Sequence, residues 1–336
     1  MRRCALVLGL GLSTLTAPAT AADATDWHRF LQRHFDPEGR VVDDGTGGAS
    51  HSEGQGVGML LAVHYNDRRT FNLLWQWTQK NLMVRVDGLL AWRWLPGKGA
   101  EYRNNATDGD LLVAWALVRA GARWNVPEYV LAGGSLAKTV REKLVRPSSA
   151  GPVLLPGAEG FEADGVPLLN LSYWVFPAFA EFERIDDSPI WGELTRTGHR
   201  LLAEARFGRW SLPPDWFLYN GRPSIPEDRP ARFGYDAIRI PLYLLWSHTT
   251  PDEMRPFRSF WSHFKGASFL PAWTNLLDDS VDSHDTLKGV RALAGVVTAY
   301  PDMRRVRPPE LDAKQPYYSN ALLLLTKLML WETGRR

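Results

Sequence analysis

Three carboxylic acids stand at points where a polar loop gives way to an apolar stretch. Glu53 follows Ser52 in a glycine-rich segment, Asp108 follows Thr107, and Asp236 opens an apolar run. Two carboxyl groups can perform acid–base chemistry when one holds a proton and the other is ionised. Taken singly, each acid is explained equally well by the start of a helix, where negative charge is favoured by roughly 0.3–1 kcal/mol. The setting of the three acids therefore decides between these interpretations.

The segment around Glu53 is unusual for the first turn of a helix. Gly54, Gly56 and Gly58 alternate along it, and glycine costs a helix roughly 0.8–1 kcal/mol relative to alanine. This spacing predicts that another part of the molecule approaches the backbone closely. Ser52 followed by Gln55 predicts a capping box with Ser52 as N-cap, and Thr107 is the predicted N-cap before Asp108.

Helical periodicity dominates the rest of the chain. In the stretch 108–121, for example, Leu111, Ala114, Trp115 and Val118 fall on one face, and Gly121 is placed to end the helix. Loops rich in Gly, Pro and Trp at 84–107, 145–167, 206–235 and 266–286 show no clear β-alternation, although short hairpins fit within them. Helices are predicted near 27–34, 51–66, 71–82, 108–121, 127–144, 168–184, 189–205, 236–248, 252–264, 287–299 and 318–333.

These features predict an all-α, single-domain fold. No Pro/Ser-rich linker divides the 336 residues, and so many helix faces need a closed arrangement to be buried. A double ring of inner and outer helices, an (α/α) barrel, provides one, whereas a superhelical array would require a sequence period that is not found. In such a ring the N-termini of the inner helices gather at one end, so the three acids would line one funnel. The sequence by itself does not prove that the ring closes.

The N-terminus has the pattern of an export signal. Arg2 and Arg3 precede an apolar run at 5–15 and small residues at 19–21, which predicts a signal peptide at 1–21 and a mature domain at 22–336. Cys4, the only cysteine, lies within this leader. The mature chain is therefore expected to contain no disulfide and no thiolate site, and to reside in the periplasm or outside the cell. No other stretch reaches transmembrane length.

Composition excludes some functions and favours one. The formal charge is +2 and the basic residues are scattered, so no nucleic-acid footprint is present. The histidines lack the spacing of a metal site, and neither a metal nor a cofactor is predicted. The chain contains 15 Trp. Flat aromatic rings suit the apolar faces of sugars, although most tryptophans in any protein belong to its core.

Several segments carry a resemblance to a known family. Residues 106–117, running on to Ala120 and Trp124, resemble the signature of glycoside hydrolase family 8. Residues 52–59 resemble the general-acid segment of that family, and 235–241 its general-base segment. Residues 171–174 with Pro177, and 213–216, also look like family segments. The similarity runs in order from about residue 25 to 330, and within the family it is greatest to the periplasmic cellulases that accompany bacterial cellulose synthase. Val113 departs from the usual Ile or Met of the signature.

The resemblance implies an (α/α)6 barrel with long loops around an open substrate cleft, and endo-acting, inverting hydrolysis of β-1,4 bonds in cellulose or a similar glucan. It implies Glu53 as general acid, Asp236 as general base, and Asp108 as the residue that holds and distorts the sugar. Because a helix start lowers the pKa of an acid, we hypothesise that Asp108 also keeps Glu53 protonated. The predicted substrate-binding residues are Trp92, Trp94, Tyr173, Tyr235, Arg239 and Asp110.

Two alternatives stay open at this point. The same scaffold and acids are compatible with another β-1,4 glycan, such as chitosan, xylan or a mixed-linkage glucan. A non-catalytic, glucan-binding subunit of a secretion complex is also compatible with the aromatic content. The expected partners are a glucan chain and the cellulose synthase export complex.

Overall fold

The computed structural model describes residues 21–247 and 249–334, with side chains from residue 24 onward. The predicted signal peptide lies outside these residues except for its last position, as does residue 248 in the predicted helix 236–248. Within the described part of the chain, no helix is long and apolar enough to cross a bilayer.

Helices account for about half of the described chain, and their positions follow the predicted periodicity closely. The eleven α-helices in residues 21–247 and 249–334 are α1 (Ala21–His34), α2 (Ser52–His64), α3 (Arg68–Asn81), α4 (Thr107–Trp124), α5 (Pro127–Leu144), α6 (Phe176–Phe182), α7 (Ile190–Glu204), α8 (Arg239–Trp246), α9 (Pro251–His263), α10 (Lys288–Ala299) and α11 (Tyr317–Thr333).

Short antiparallel strands occupy the connections, mostly within the four predicted loops. The order β10-β9-β8-β7 forms one four-stranded sheet, and β1–β2, β3–β4, β5–β6 and β11–β12 form two-stranded ribbons. The strands are β1 (Phe35–Asp36), β2 (Arg40–Val41), β3 (Ser50–His51), β4 (Arg93–Trp94), β5 (Val145–Arg146), β6 (Val153–Leu154), β7 (Glu162–Ala163), β8 (Val166–Leu169), β9 (Phe217–Tyr219), β10 (Pro223–Ser224), β11 (Arg232–Phe233) and β12 (Thr274–Asn275).

The inner helices close into a ring. α2 packs against α4, α4 against α6, α6 against α8, α8 against α11, and α11 against α2. A second layer covers this ring: α3 lies on α2, α5 on α4 and α7 on α6, while α10 packs between α9 and α11. This closed double ring of inner and outer helices is the (α/α) barrel type that the sequence predicts, and among the described residues five helices make the contacts that close its inner ring.

The two layers differ in how their helices are buried. Every residue of α4 from Thr107 to Val118 is buried, as expected for a helix enclosed on all sides. In α7, by contrast, the buried positions include Trp191, Leu194, Gly198 and Leu201, which form one stripe at helical spacing with solvent on the other side. Inner and outer helices are thus distinguished by their apolar pattern.

One predicted helix is wrong. The stretch 168–184 begins as strand β8, passes through a 3₁₀ turn at Leu171–Tyr173, and becomes helical only at α6. The Asn170 side chain accepts a hydrogen bond from the Ser172 backbone N–H at 3.0 Å and stabilises the turn. Pro177 then occupies the first turn of α6, where its missing N–H costs nothing. Local polar and proline chemistry therefore divides an apolar stretch that periodicity reads as continuous.

The glycines beside Glu53 allow α2 and α4 to approach closely. A Cβ added to Gly56 would lie 2.6 Å from Leu112 Cβ and 2.8 Å from the Val113 backbone N. A Cβ on Gly109 would lie 2.0 Å from Ser52 Oγ and 2.7 Å from the Glu53 backbone N. The predicted close approach at this helix start is confirmed, and the approaching segment is α4.

The predicted caps are wrong at both helix starts. His51 is the N-cap of α2 and Ala106 that of α4, and neither makes a side-chain cap hydrogen bond. Gln55 does not turn back to the helix start, because its amide is buried against the Val41 backbone N–H at 2.7 Å and Thr78 Oγ1 at 3.0 Å. α4 also runs past Gly121 and ends at Asn125, which has a left-handed φ of 53°.

Candidate active site

The three acids meet around one buried arginine. Nη1 of Arg239 lies 3.1 Å from Glu53 Oε2 and 2.9 Å from Asp108 Oδ2, and Nη2 lies 3.3 Å from Asp236 Oδ1. Arg239 begins α8 and also donates through Nη2 to Ser172 Oγ at 3.1 Å. The starts of α2, α4 and α8 therefore converge at one end of the ring, as the closed arrangement predicts.

The three carboxylates differ in their access to solvent. The side chains of Glu53 and Asp236 are 30% and 32% exposed, while that of Asp108 is 2% exposed. Two acids can therefore reach a bound molecule, and the third lies beneath them. Because Glu53 and Asp236 contact the same planar guanidinium, their nearest oxygens can be no more than about 9 Å apart.

Burial strongly affects the pKa values of Asp108 and Arg239, the two groups that lie beneath the exposed acids. Burial raises the pKa of Asp108 to about 7; Arg239 opposes this rise, and the negative charge of Glu53 adds to it. Burial alone would favour loss of the Arg239 proton, but Glu53, Asp108 and Asp236 together hold the pKa of Arg239 well above its ordinary value. The guanidinium therefore stays charged and holds the acids in place. Asp108 is tied to Arg239 and to the Gly109 backbone N–H at 2.9 Å, and its predicted contact with a sugar stays a prediction.

We call Glu53 and Asp108, at the starts of α2 and α4, the helix side of the site. The turn side consists of Asp236 in the turn 234–238, together with Asp215 and Trp216. The turn precedes α8, so the prediction that Asp236 begins that helix is wrong by three residues. Asp236 Oδ2 accepts a hydrogen bond from Trp216 Nε1 at 3.1 Å.

Asp215 lies behind this turn and is 2% exposed. Its Oδ1 accepts from the backbone N–H groups of Gly234 and Ala237, each at 2.9 Å, and its Oδ2 accepts from Arg232 Nε at 3.0 Å. Burial raises the pKa of Asp215 to about 6, and the negative charge of Asp236 acts in the same direction.

Asp110 does not reach the substrate side. Its side chain is fully buried, and its two oxygens accept from the Leu90 backbone N–H at 2.8 Å and from Asn105 Nδ2 at 2.7 Å. Burial also raises the pKa of Asp110 to about 7. The predicted substrate contact is therefore replaced by a structural one, because both carboxylate oxygens anchor the loop that carries Trp92.

The two predicted tryptophans of that loop, Trp92 and Trp94, lie in different surroundings. Trp92 lies parallel to the His51 ring, with centroids 5.7 Å apart, next to the start of α2. Trp94 packs against the hydrophobic core, with its ring edge-on to Trp77 at 5.4 Å and the Arg40 guanidinium 5.0 Å from its centroid. Trp92 remains a candidate for sugar stacking, whereas the contacts of Trp94 indicate core packing.

The predicted tyrosines both lie at the site. Tyr173 is half-buried, with Arg239 5.7 Å and Trp216 5.8 Å from its ring centroid. Tyr235 is 37% exposed and meets the ring of Tyr318 edge-on at 5.5 Å. Tyr318 Oη also donates to the Tyr235 carbonyl at 2.6 Å. Tyr173 thus lies next to Arg239, while Tyr235 lies in the turn 234–238 beside Asp236.

Sequence reasoning assigned no role to three residues that the structure brings to the site. Ser172, Asp215 and Trp216 contact Arg239, the backbone of the turn and Asp236, respectively. All three stand in segments that resemble family 8. The signal in the sequence is that Asp215 and Trp216 directly follow two prolines, Pro213 and Pro214, within a long loop.

Comparison with known protein families assigns the chain. The model of "Glycosyl hydrolases family 8" matches residues 2–334. The chain belongs to this family. As a family 8 protein it is a glycoside hydrolase, and Arg239 with its three acids lies at the N-terminal end of the helical ring.

Two relatives of this family 8 enzyme are similar over most of their length. A probable endoglucanase from Novacetimonas hansenii is 40% identical over 314 residues, covering 92% of this chain and 91% of the relative. An endoglucanase from Cellulomonas uda is 35% identical over 84% of this chain and 79% of its own. The solved endo-beta-1,4-glucanase CMCax from Acetobacter xylinum has a TM-score of 0.88 at 40% identity, covering 93% of this chain and 99% of that one.

Proposed function

We propose that this family 8 enzyme hydrolyses internal β-1,4-glucosidic bonds of cellulose or a cellulose-like glucan with inversion at the anomeric carbon. The observation that carries the proposal is the contact of Glu53, Asp108 and Asp236 with one buried guanidinium, with two of these acids open to solvent. The distance limit of about 9 Å allows both the roughly 6.5–9.5 Å between the carboxyl groups of inverting glycosidases and the roughly 5–5.5 Å of retaining ones, so the stereochemistry is proposed from the family resemblance and tested by the product anomer.

In the proposed reaction, Glu53 donates its proton to the glycosidic oxygen as the bond to the anomeric carbon breaks. Asp236 takes a proton from a water molecule, whose oxygen attacks the same carbon from the opposite face. The leaving sugar gains a hydroxyl group, the new reducing end has inverted configuration, and exchange with solvent restores both acids. Arg239 orients the two acids through its contacts with both.

The role of Asp108 has two parts. Its buried carboxylate supports Arg239, and a contact with a sugar hydroxyl remains a prediction. The hypothesis that Asp108 keeps Glu53 protonated also remains a prediction. Because the pKa of Asp108 is about 7, Asp108 is negatively charged mainly above that pH. There its charge would oppose the loss of the proton from Glu53. The alkaline limb of the pH–rate profile should then move to lower pH in Asp108→Asn.

The substrate is proposed from the names of the relatives and from the aromatic residues at the site. Two relatives and one solved structure are described as endoglucanases, the last as an endo-beta-1,4-glucanase. Trp92 and Tyr235 offer ring surface near the acids, which suits the apolar faces of glucose units. Chitosan, xylan and mixed-linkage glucan are the alternative substrates, and a parallel activity screen with carboxymethyl cellulose distinguishes them.

A supporting role in bacterial cellulose synthesis and export is also part of the proposal, with the periplasm as its location. The resemblance to periplasmic cellulases and the signal-like N-terminus support it. Fractionation of cells expressing the full chain should recover activity in the periplasm or medium. Recovery in the cytoplasm alone would contradict this location.

The central test compares Glu53→Gln and Asp236→Asn with the native enzyme. Each should lower the release of reducing ends from carboxymethyl cellulose by about 10²–10⁴-fold, since each removes one half of the acid–base pair. Glu142→Gln on α5, whose side chain is 49% exposed, is a control that should retain full activity. NMR of cello-oligosaccharide products should show the α-anomer first. The β-anomer first, or binding of cello-oligosaccharides by the native chain without hydrolysis, would overturn the proposal.

A further inference from the structure

The turn that carries Asp236 receives little support from regular structure. Residues 234–238 lie between strand β11 and helix α8, and Asp236 is half-exposed on this turn. A general base must be held within a few tenths of an ångström of its productive position. A turn of this kind therefore needs contacts from elsewhere in the chain.

Asp215 supplies two of the contacts with the backbone of this turn, and Tyr318 Oη supplies another through the Tyr235 carbonyl. One oxygen of Asp215 accepts hydrogen bonds from Gly234 and Ala237, two and one residues to either side of Asp236. Its own backbone N–H donates to the Arg232 carbonyl at 2.8 Å, so Asp215 is tied to β11 as well. A Cβ on Gly234 would lie only 2.8 Å from Asp215 Oδ2, which shows how closely the turn is drawn onto this carboxylate.

Trp216 supplies the side-chain contact. Its Nε1 donates to Asp236 Oδ2 at 3.1 Å, while Arg239 contacts Oδ1 at 3.3 Å. The Trp216 ring is itself held, with Phe161 parallel to it at 5.8 Å and the Arg229 guanidinium 4.6 Å from its centroid. The indole is thus fixed by its own neighbours and does not depend on a substrate for its orientation.

The chemistry of these two donors suits a general base. A carboxylate has about four lone-pair positions, so each oxygen of Asp236 keeps one for water while accepting one hydrogen bond. Trp216 is neutral and orients the Asp236 carboxylate through one hydrogen bond. A second cation in its place would make that carboxylate a weaker base than the indole does. One charged contact and one neutral contact together fix the group and leave it able to accept a proton.

We propose that the adjacent pair Asp215–Trp216 is the positioning element of the general base, Asp215 holding the backbone of the turn and Trp216 holding the carboxylate. The inference rests on the proposed assignment of Asp236 as base. Both residues act through Asp236, so their loss should lower kcat for every substrate that needs an activated water, with KM little changed.

The test uses two substrates that differ in the leaving group. Fluoride leaves β-cellobiosyl fluoride without protonation, so hydrolysis of this compound bypasses the general acid but still needs the base. Asp215→Asn and Trp216→Phe are expected to lower kcat by about tenfold or more on both cellopentaose and the fluoride. Glu53→Gln should lose activity on cellopentaose and retain it on the fluoride.

Matched controls separate positioning from folding. Asp26 is also a buried acid, 1% exposed, that accepts a backbone N–H, from Leu311 at 2.9 Å, and contacts a cation, Lys327. Asp26→Asn should lower stability but leave kcat of the folded enzyme unchanged. Trp210→Phe, at a ring packed on Phe260 and His263, should likewise leave kcat unchanged. Asp26→Asn also shows how far a partial loss of folded protein by itself lowers the measured activity, which is the comparison that the Asp215 variant needs.

Three outcomes would count against parts of this scheme. If Asp215→Asn and Trp216→Phe hydrolyse the fluoride at the native rate, the positioning inference is wrong while the assignment of the acids stands. Should Asp236→Asn retain fluoride hydrolysis, the base assignment fails and the inference fails with it. Loss of fluoride hydrolysis in Glu53→Gln would contradict only the acid assignment.

Discussion

Glu53 and Asp236 contact the same guanidinium, yet the chain presents them in different ways. On the helix side, Glu53 is the second residue of α2. The backbone of α4 approaches it most closely at Gly109, which has no side chain. On the turn side, Asp236 lies outside any helix and is held by hydrogen bonds from other side chains. The first acid is positioned by packing of backbones, and the second by polar contacts from a distant loop.

This difference indicates where each side tolerates change. Packed backbones have almost no room to adjust, so an added methyl group on the helix side should displace the acid itself. Hydrogen-bonded side chains can adjust, so a lost donor on the turn side should leave the fold intact and disturb the chemistry. The following predictions test this difference, beginning with the residue that the two sides share.

Replacement of Arg239 by Met should have the largest effect. It leaves Glu53, Asp108 and Asp236 without their common cation, and breaking a buried ion pair costs about 3–5 kcal/mol. Urea denaturation should show that loss, and hydrolysis of carboxymethyl cellulose should fall by several orders of magnitude. The conservative Arg239→Lys variant should recover stability better than kcat, because one ammonium cannot contact both sides as the two nitrogens of the guanidinium do.

The control for this substitution is Arg291→Met. Arg291 is 49% exposed and pairs with Asp285 on the surface, where an ion pair contributes at most about 1 kcal/mol. Equal stability losses in the two Met variants would mean that Arg239 does not join the sides as described.

A methyl group at Gly109 should disturb the helix side specifically. Its Cβ would collide with Ser52 and with the Glu53 backbone N at 2.7 Å, so α2 and α4 must separate. Such overpacking costs about 1–3 kcal/mol, even though alanine favours a helix over glycine by about 1 kcal/mol. Thermal unfolding and kcat should both fall in Gly109→Ala.

Gly295→Ala is the matched control on α10, where an added Cβ meets nothing within 4 Å. It should leave kcat unchanged and raise stability by up to about 1 kcal/mol. If Gly109→Ala behaves like this control, backbone packing does not position Glu53.

The same difference explains what the sequence could predict. Glu53 and Asp108 stand at the starts of helices whose periodicity and glycine spacing are visible within about ten residues. The spacing of Gly54, Gly56 and Gly58 predicts a close approach to this backbone without naming the partner, and α4 makes that approach at Gly56. Closure of the ring and convergence of the inner helix starts followed from the number of helix faces to be buried.

The parts that failed depend on contacts between distant segments. Gln55 has the position of a capping residue, but tertiary hydrogen bonds to Val41 and Thr78 engage its amide. Asp110 has the same sequence signal as Asp108, and only the loop at Leu90 shows that its oxygens are taken. Asp215 lies 21 residues before Asp236 in a stretch without periodicity, so no local pattern indicates that it holds the turn.

The last prediction concerns the pH dependence of stability and the buried acid on each side. The pKa of Asp108 is raised to about 7 and that of Asp215 to about 6, in both cases mainly by burial. Because the folded protein holds these protons more tightly than the unfolded chain, whose Asp pKa is about 3.9, the contribution of each group to stability is greatest below about pH 4 and is lost as pH rises to the folded value. One such group contributes a slope of at most about 1.4 kcal/mol per pH unit.

The two sides should therefore lose stability over different pH windows. Urea denaturation at pH 4, 5, 6, 7 and 8 should show that Asp215→Asn reduces the slope only between about pH 4 and 6. Asp108→Asn should reduce it up to about pH 7, where Asp110 still contributes because its pKa is also about 7. A change of slope above pH 6 in Asp215→Asn, or none there in Asp108→Asn, would contradict the higher pKa of the buried acid on the helix side. Agreement would mean that the helix side holds its supporting proton to higher pH than the turn side, although Asp108 and Asp215 are equally inaccessible, each 2% exposed.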